Sequence, residues 1–427
     1  MHHIDIFRKY NLKKQNIRCF FAKSMIRYVK MIFGGIMSKQ YLNKTQLNAE
    51  LEKCLQCPTK PCKKACPAQC SPYDFIANAR MQKWTEAASE IANHNPLGEV
   101  CGLICPDKFC QKACLRQHVD YAIKIPSVQA TIMQIARVEN LWQPMVGKPI
   151  KRKVAVIGAG PAGIGATAEL VKAGYSVEVY EAASTVGGVL NLIPQARLQR
   201  EITVYEWQKF IDTGRVKIHL NTSVADYSLL LNDGFCAVIV AKGEQKPREL
   251  PIEGKELAVQ YTTYLAKPEI FKNALNVAVI GGGAVAVDCA TTANQFGATH
   301  VEMFVRRQIN HMRVTAQERE VLLQNQIDLT TMTRVAKLEK QQDKLALYSL
   351  KTQFDTEGKL VDIPETMTCR QGFDLVVFAL GSERAEEICE SECIIFAGDI
   401  VNGGSTAVEA VASGKAAAEK IIKYFNQ

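Results

Sequence analysis

The chain has 427 residues, 47% hydrophobic and 22% charged, which is the composition of a globular protein with length for two or three domains. It contains no run of about 18 apolar residues, which argues against a membrane-spanning helix. The formal net charge of +9 is uneven, because residues 1–36 hold eight Lys or Arg against one Asp. The remainder is close to neutral, which argues against a nucleic-acid-binding face.

Residues 1–36 form a basic extension with three interpretations. They could be an amphipathic surface anchor, a targeting sequence, or translated sequence upstream of a real start at Met37. We favour the third interpretation, because the sequence of an ordinary globular protein begins at Ser38. The extension is therefore predicted to be untranslated or disordered.

Cysteines dominate the next region, since nine of the fifteen lie between Cys54 and Cys114. Nothing resembles a cleavable signal peptide, and the chain is far longer than a disulfide-stapled domain, so we expect metal-bound thiolates in a reducing cytoplasm. Apolar residues three and four apart predict helices over 72–95 and 126–141, and a short polar helix precedes the cysteines over 38–53. This region is therefore predicted to be mostly helical, with cysteine loops.

The first four cysteines follow a spacing close to that of a ferredoxin, Cys-x2-Cys-x4-Cys-x3-Cys-Pro. In such sequences three cysteines hold one [4Fe–4S] cluster and the fourth crosses to another. The first cluster is assigned to Cys54, Cys57, Cys62 and Cys114. The second is assigned to Cys66, Cys105 and Cys110, which leaves it one ligand short. Two structural zinc sites are the alternative, because zinc also takes four thiolates.

Two similar units follow, about 123 residues apart, each with a buried strand, a glycine-rich loop and a helix. The loops read Gly158-Ala-Gly160-Pro-Ala-Gly163 and Gly281-Gly-Gly283-Ala-Val-Ala286. The first glycine permits a tight turn, and the second lets a pyrophosphate approach the backbone at the helix N-terminus. The pattern predicts two dinucleotide-binding domains.

The strands after these loops end differently. The first ends at Glu181, a suitable acceptor for a ribose hydroxyl. The second ends at Arg306 and Arg307, with Arg313 close behind, and a guanidinium binds a 2′-phosphate that a carboxylate would repel. We therefore predict FAD at the first site and NADPH, or less favourably NADH, at the second. The alternative is that Arg306 and Arg307 are a solvated strand end.

Three later segments fit a flavin reductase: a Gly-Gly pair near the isoalloxazine or pyrophosphate, a strand that turns near the nicotinamide, and an Asp suited to the flavin ribityl chain. Together with the loops they give two sets of predicted contacts. The FAD set is Gly158, Gly160, Pro161, Ala162, Gly163, Glu181, Gly187, Gly188, Val189, Gly398, Asp399, Thr406, Ala407 and Val408. The NADPH set is Gly281, Gly283, Ala284, Val285, Ala286, Arg306, Arg307, Arg313, Ala379, Leu380 and Gly381.

From about Leu51 onward, these motifs resemble the flavin-containing subunit of bacterial NAD(P)-dependent dihydropyrimidine dehydrogenase and the N-terminal half of the eukaryotic enzyme. The chain is also similar to the small subunit of NADPH-dependent glutamate synthase. The resemblance implies that Gln129 is the missing ligand of the second cluster and that Arg197 contacts FAD. Cys101 and the longer Cys105-Pro-Asp-Lys-Phe-Cys110 segment favour the dehydrogenase branch.

The expected fold is α/β with an all-α N-terminal iron–sulfur domain and two Rossmann-like domains. The predicted boundaries are 37–149 for the iron–sulfur domain, 150–262 and 382–427 for the FAD domain, and 263–381 for an inserted NADPH domain.

The resemblance also implies an oxidoreductase subunit that passes hydride from NAD(P)H to FAD and single electrons through two [4Fe–4S] clusters. The expected partner is an FMN-containing barrel subunit that reduces uracil or thymine, in a hetero-oligomer without nucleic acid. No catalytic residue is expected beyond the flavin, with Asp288 as a nicotinamide-side candidate.

Two other functions stay open. The partner could be the large subunit of glutamate synthase. A subunit for redox sensing or assembly, without turnover, is the third alternative. Its support is Ala284, where the family usually carries Asn or Asp, and the short segment between Gly381 and Ile394.

Overall fold

The computed structural model describes residues 41–244, 246–385 and 387–426. The basic extension over 1–36, and the prediction made for it, lie outside the described residues. Within the described ranges no helix is both long and apolar enough to cross a membrane.

The N-terminal region is helical, with the cysteines in the loops and at helix ends. Its helices are α1 (Lys44–Glu52), α2 (Pro61–Lys64), α3 (Pro72–Arg80), α4 (Trp84–His94), α5 (Gly98–Ile104) and α6 (Ile125–Glu139), with a 3₁₀ turn at Leu115–His118. The single helix predicted over 72–95 is two helices, because Gln82 between them has a φ of 57°, which no α-helical residue adopts. Phe75, Ile91 and Leu97 are fully buried where these helices pack.

A parallel sheet with crossover helices follows. Its elements in chain order are β1 (Lys153–Ile157), α7 (Pro161–Lys172), β2 (Ser176–Tyr180), α8 (Arg200–Ile211), β3 (Val216–His219), α9 (Ser228–Asn232) and β4 (Ala237–Val240). Four buried residues in succession, Val154 to Ile157, make β1 the centre of the sheet.

The chain then builds a second parallel sheet. After β5 (Lys246–Pro247), which lies outside this sheet, the elements are β6 (Val259–Gln260), α10 (Tyr261–Ala266), β7 (Asn276–Ile280), α11 (Ala284–Gln295), β8 (His300–Val305), α12 (Ala316–Gln324), β9 (Asp328–Thr331), an antiparallel meander of β10 (Thr333–Gln341), β11 (Lys344–Phe354) and β12 (Leu360–Phe373), and finally β13 (Leu375–Phe378). The strand order is β6-β13-β7-β8-β9, with the meander outside it.

The last segment returns to the first sheet. It contains β14 (Ser382–Glu383), β15 (Ile394–Phe396), α13 (Asp399–Asn402) and α14 (Ala407–Phe425). β14 pairs with β5, so the outgoing and returning crossings lie side by side, and β15 completes the order β15-β4-β1-β2-β3. The predicted fold class is confirmed, with the second nucleotide-binding sheet inserted between β4 and β15.

Candidate functional site: nucleotide loops and cysteine pockets

The two glycine-rich loops have matching geometry. Gly158 and Gly281 both lie in the left-handed region, with φ of 105° and 153°. A Cβ on Gly158 would lie 2.5 Å from the carbonyl oxygen of Ala241, and one on Gly281 would lie 2.3 Å from that of Ala379. Each loop therefore needs glycine twice over, for its backbone angle and for its contact with the neighbouring strand end.

The second glycine of each loop faces open space instead. A Cβ on Gly283 would meet nothing within 4 Å, and one on Gly160 would reach only Gly188 Cα at 3.9 Å. The helices that follow, α7 and α11, begin without a side-chain cap. Their first N–H groups are therefore left for an anion, and the residues present fit the pyrophosphate of a dinucleotide at each loop.

Both loops line one open cavity of about 920 Å³. Pockets for a single small molecule usually hold about 300–1,000 Å³, so this cavity lies at the upper end of that range, and it is open to solvent. The predicted contacts on its walls are Gly158, Gly160, Pro161, Ala162, Glu181, Gly188, Val189, Asp399, Thr406, Ala407, Gly281, Gly283, Ala284, Val285, Arg306, Arg307, Arg313, Ala379, Leu380 and Gly381.

Six predicted contacts lie behind these walls or away from them: Gly163, Gly187, Gly398, Val408, Ala286 and Arg197. A Cβ on Gly163 would lie 2.0 Å from the carbonyl oxygen of Gly158, so Gly163 keeps helix and loop in contact. Gly187 N donates to Ala159 O at 2.8 Å, which fixes the first loop. These two support the wall rather than form it.

The side of the cavity next to the first glycine-rich loop carries two of the predicted carboxylates. Glu181 accepts from Ala159 N and Ala183 N, both at 2.8 Å, so its position at the end of β2 is fixed. Asp399 accepts from the Ser405 hydroxyl, and burial raises the pKa of Asp399 above its usual value. Glu244, which the sequence analysis does not identify, lines the same wall, and burial also raises its pKa.

The nicotinamide-loop side carries cations. Arg306, Arg307 and Arg313 line the cavity, and none forms an ion pair with a described acidic side chain. Thr352 Oγ1 donates to the carbonyl oxygen of Arg306, and Met332 N donates to that of Arg307, so the backbone is anchored while the guanidinium groups remain available. A charged pocket of this kind suits a phosphate.

Arg197 and Asp288 lie together, outside the large cavity. Arg197 donates to Asp288 Oδ1 at 2.8 Å and to Glu318 Oε1 at 3.2 Å. The three line a separate cavity with Cys105 of the cysteine region. That Arg197 contacts the flavin and that Asp288 faces the nicotinamide stay predictions, and in this arrangement each side chain has the other as its partner. Burial raises the pKa of Asp288, although Arg197 opposes the rise.

The four cysteines assigned to the first cluster share one pocket. Cys54, Cys57, Cys62 and Cys114 line it with the apolar side chains of Leu55, Ile76, Ile123 and Ile125. No His, Asp or Glu among the described residues lines this pocket, so its donor set is soft and suits iron–sulfur or zinc. Gln56 Nε2 donates to Cys54 Sγ at 3.2 Å, a contact that its position inside the Cys-x2-Cys motif could have suggested.

Of the cysteines assigned to the second cluster, Cys66 and Cys110 are buried and Cys105 is partly buried. Burial raises the pKa of Cys105, and nearby Cys101, Cys110 and Cys66 add to the rise; burial also raises the pKa of Cys110, with Cys66 and Cys62 as the neighbouring thiols, so the two groups are neighbours. Burial raises the pKa of Cys66.

Gln129 is buried on α6 and donates through Nε2 to Gly98 O at 2.8 Å. Its Oε1 forms no hydrogen bond with a described residue, so a ligand oxygen is available.

The cysteine region is joined to the first nucleotide sheet by buried contacts that the sequence does not reveal. Lys415 on α14 donates to His94 O at 2.7 Å and to Ala68 O at 3.3 Å, two residues after Cys66. Glu206 on α8 accepts from Glu99 N at 2.7 Å, at the start of α5. The second thiol group therefore lies toward the nucleotide sheet.

Two family models match the chain. Residues 36–141 match a model described as dihydropyrimidine dehydrogenase domain II, 4Fe-4S cluster. Residues 152–414 match one described as pyridine nucleotide-disulphide oxidoreductase. The iron–sulfur interpretation of the cysteines is therefore confirmed over the zinc alternative.

Curated relatives match over nearly the whole length. The NAD-dependent dihydropyrimidine dehydrogenase subunit PreT of Escherichia coli (strain K12) is 31% identical over 403 residues, which cover 88% of this chain and 93% of the relative. The PreT homolog of Salmonella typhi is 29% identical over 88% of this chain and 94% of its own. Among solved structures, Mycobacterium tuberculosis FprA in complex with NADPH aligns with a TM-score of 0.54 at 16% identity, over 65% of this chain and 85% of that one, which shows a shared fold.

Proposed function

The chain belongs to the family of NAD-dependent dihydropyrimidine dehydrogenase subunits and is an NAD(P)H oxidoreductase, and on that premise we propose that it holds FAD and two [4Fe–4S] clusters as an electron-input subunit. The observation that carries the proposal is the single cavity lined by both glycine-rich loops, beside a region that gathers thiols into two neighbouring groups.

The residues present fit the two nucleotides. Gly160 and Gly283 leave room for a pyrophosphate, and the free N–H groups of α7 and α11 would bind it. Glu181 would accept from the adenosine ribose of FAD, and Asp399 would orient the ribityl chain. FAD bound there would supply a two-electron acceptor for hydride and a one-electron donor to [4Fe–4S] clusters.

The residues present also fit the clusters. Cys54, Cys57, Cys62 and Cys114 would hold one cluster in their shared pocket. Cys66, Cys105, Cys110 and the amide oxygen of Gln129 would hold the other, with the Gln129 side chain oriented by its hydrogen bond to Gly98. The contacts of Lys415 with the Cys66 loop favour an order in which this second site lies nearer the flavin.

We propose that the site at the second loop binds NADPH in preference to NADH. Arg306, Arg307 and Arg313 have no acidic partner among the described residues, and such groups attract a 2′-phosphate. Relatives that carry "NAD-dependent" in their names make NADH the natural competitor. The relative use of the two nucleotides therefore needs a direct measurement.

The proposed partner is an FMN-containing subunit that reduces uracil or thymine. The name of the relatives supports it, since they are dihydropyrimidine dehydrogenase subunits. A glutamate synthase large subunit is the second candidate. A subunit without turnover is the third candidate.

Anaerobic titration of the reconstituted holoprotein with NADPH tests the core proposal. We expect the flavin absorbance to bleach and reduced [4Fe–4S] signals to develop in EPR. Cys114→Ser should lose the first cluster, whereas Cys369→Ser, on the exposed meander strand β12, should keep both. A flavin that NADPH leaves oxidised, or clusters that stay unreduced while the flavin bleaches, would contradict the electron-input function.

Partner identity is tested by anaerobic affinity purification from native cells. Recovery of an FMN-containing subunit, and conversion of uracil to dihydrouracil by the complex with NADPH, would support pyrimidine reduction. Recovery of a large subunit with glutamine amidotransferase activity would replace it with glutamate synthesis.

A further inference from the structure

The surface over the first cysteine pocket exposes apolar side chains. Leu55 is 47% exposed and Leu115 is 40% exposed, and both line the pocket of Cys54 and Cys114. In the segment that follows Leu115, Val119 is 66% exposed and Tyr121 is 79% exposed. We call Leu55, Leu115, Val119 and Tyr121 the docking face. Single exposed apolar residues are common, but a group gathered at a redox site marks a contact surface.

The docking face is held in shape by a short polar network. Arg116 donates to both carboxylate oxygens of Asp120 at 2.6 and 2.7 Å and reaches Lys53 O at 3.5 Å, in the loop before Cys54. Asp120 Oδ1 in turn accepts from Tyr121 N at 2.6 Å. The exposed segment is therefore tied to the cysteine loop, and a partner would meet a preformed surface.

Positive charge predominates around the docking face. Residues 53–64 and 108–124, which supply the first-cluster ligands, contain eight Lys or Arg and one Asp, and four of the eight are ion-paired: Lys53, Lys60, Lys108 and Arg116. Lys64, Lys112 and Lys124 are exposed and form no ion pair with a described acidic side chain. An apolar centre with a basic rim complements a partner whose contact surface has an acidic rim.

We propose that the docking face is where an acidic electron-transfer protein binds to take electrons from the first cluster. This rests on the proposed function, and it identifies the contact surface and charge of the acceptor subunit. The chain's own extension over 1–36 is not the occupant we propose, because its excess of seven positive charges is repelled by the same rim. A second copy is disfavoured for the same reason, since two basic rims would face each other.

The test uses holoprotein, NADPH and flavodoxin, a small acidic one-electron carrier, under anaerobic conditions. The wild-type protein should reduce flavodoxin at a rate that falls steeply from about 0.01 M to about 0.1 M salt, as the Debye length shrinks from about 30 to about 10 Å. Lys112→Glu/Lys124→Glu should raise the KM for flavodoxin about tenfold or more at low salt. Val119→Ser/Tyr121→Ser should lower the rate at both salt concentrations, because the apolar contact is unscreened.

Lys267→Glu/Lys272→Glu is the matched control, with the same charge change on exposed lysines of the second nucleotide sheet. Each variant is first shown to have wild-type EPR signals and ferricyanide reduction. The proposal would be overturned if the rate of flavodoxin reduction changed neither with salt nor in the two docking-face variants. It would also be overturned if NADPH reduced the clusters but the protein then failed to reduce flavodoxin. A dimer that sedimentation shows to be salt-sensitive, and that the docking-face variants dissociate, would overturn it too, because a second copy would then occupy the docking face. Clusters that NADPH fails to reduce would instead refute the proposed function.

Discussion

At the scale of single residues, the amide of Gln129 has one end bound and one end available. Its nitrogen donates to Gly98 O at 2.8 Å, whereas its oxygen has no partner among the described residues. If the oxygen ligates the second cluster, Gln129→Ala should change that cluster's EPR signal and reduction potential, and Gln129→Cys should lower the potential because a thiolate adds negative charge.

The control for this prediction is Gln134→Ala, on the same helix and partly exposed. It should leave the potential of both clusters unchanged in an EPR-monitored redox titration. If Gln129→Ala also leaves both clusters unchanged, Gln129 is not a ligand, and buried Cys101 becomes the candidate.

A second prediction at the scale of single residues concerns Arg306 and Arg307. Hydrogen bonds to charged groups contribute about 1.5–3 kcal/mol, so Arg306→Ala/Arg307→Ala should raise the KM for NADPH by at least about tenfold. The KM for NADH, which lacks the 2′-phosphate, should change little and serves as the internal control. Equal losses with both nucleotides in steady-state assays would mean that these residues support the fold of the cavity instead.

We predict that the free energy of unfolding depends on pH through Glu206. Burial, together with Glu99, raises its pKa well above the usual 4.5, although Glu99 is itself paired with Arg137 at 2.8 Å. Because the folded state keeps the proton longer than the unfolded state, this group lowers stability as the pH rises above about 4.5. Glu206→Gln should therefore gain stability over the wild type as the pH rises, with little difference at acid pH.

Chemical denaturation across pH measures this difference. Exposed Glu201→Gln on the same helix is the control and should follow the wild-type profile. A stability difference for Glu206→Gln that is the same at every pH would show that Glu206 is not buried as the acid.

At the scale of elements, α7 and α14 touch through glycine. A Cβ on Gly414 would lie 1.9 Å from Ala162 O, and one on Gly165 would lie 2.4 Å from Val411 O. Gly414→Ala should therefore destabilise the protein, although alanine alone would favour the helix by about 1 kcal/mol. It should also loosen FAD, since we propose that the first N–H groups of α7 bind its pyrophosphate.

Exposed Ala416→Gly on α14 calibrates this prediction, because it should cost about 1 kcal/mol through helix propensity while FAD stays bound. Thermal unfolding and FAD content measure both variants. A Gly414→Ala protein that is more stable than the wild type with full FAD content would show that the two helices have room to separate.

The elements also show what the sequence can and cannot predict. β1 and β7 begin and end where the pattern of buried residues puts them, because local periodicity and the glycine loops mark them directly. The break at Gln82 has no Gly or Pro to announce it. The partners Arg197 and Asp288 are 91 positions apart, and no local pattern reports a contact set by how two sheets pack.

At the scale of the whole molecule, three parts of the chain meet at Arg197. Its guanidinium comes from the first nucleotide domain, and both of its carboxylate partners, Asp288 and Glu318, come from the second. Cys105 of the cysteine region lines the same cavity. The ion pairs therefore join the part of the chain that carries the first parallel sheet to the part that carries the second.

Breaking the Arg197–Asp288 ion pair should loosen the packing between the two parts of the chain that it connects. Arg197→Gln leaves Asp288 buried without its cation, and removal of one partner of a buried ion pair typically costs about 3–5 kcal/mol. The pKa of Asp288, already raised by burial, should rise further, because Arg197 is the group that lowers it. Asp288→Asn in the same chain should recover part of the loss, since no uncompensated charge then remains.

Three measurements report on the contact made by Arg197, Asp288 and Glu318. They are hydrogen exchange of α11 and α12, denaturant unfolding, and stopped-flow reduction of the flavin by NADPH. Arg197→Gln should speed exchange in both helices and slow flavin reduction, whereas exposed Arg200→Gln should change neither. Because the ion pairs lie outside the nucleotide cavity, FAD content should persist in every variant. If the losses of unfolding free energy in Arg197→Gln and Asp288→Asn simply add up in the double variant, the two side chains are not coupled. Arg197 and Asp288 would then not hold the domains together.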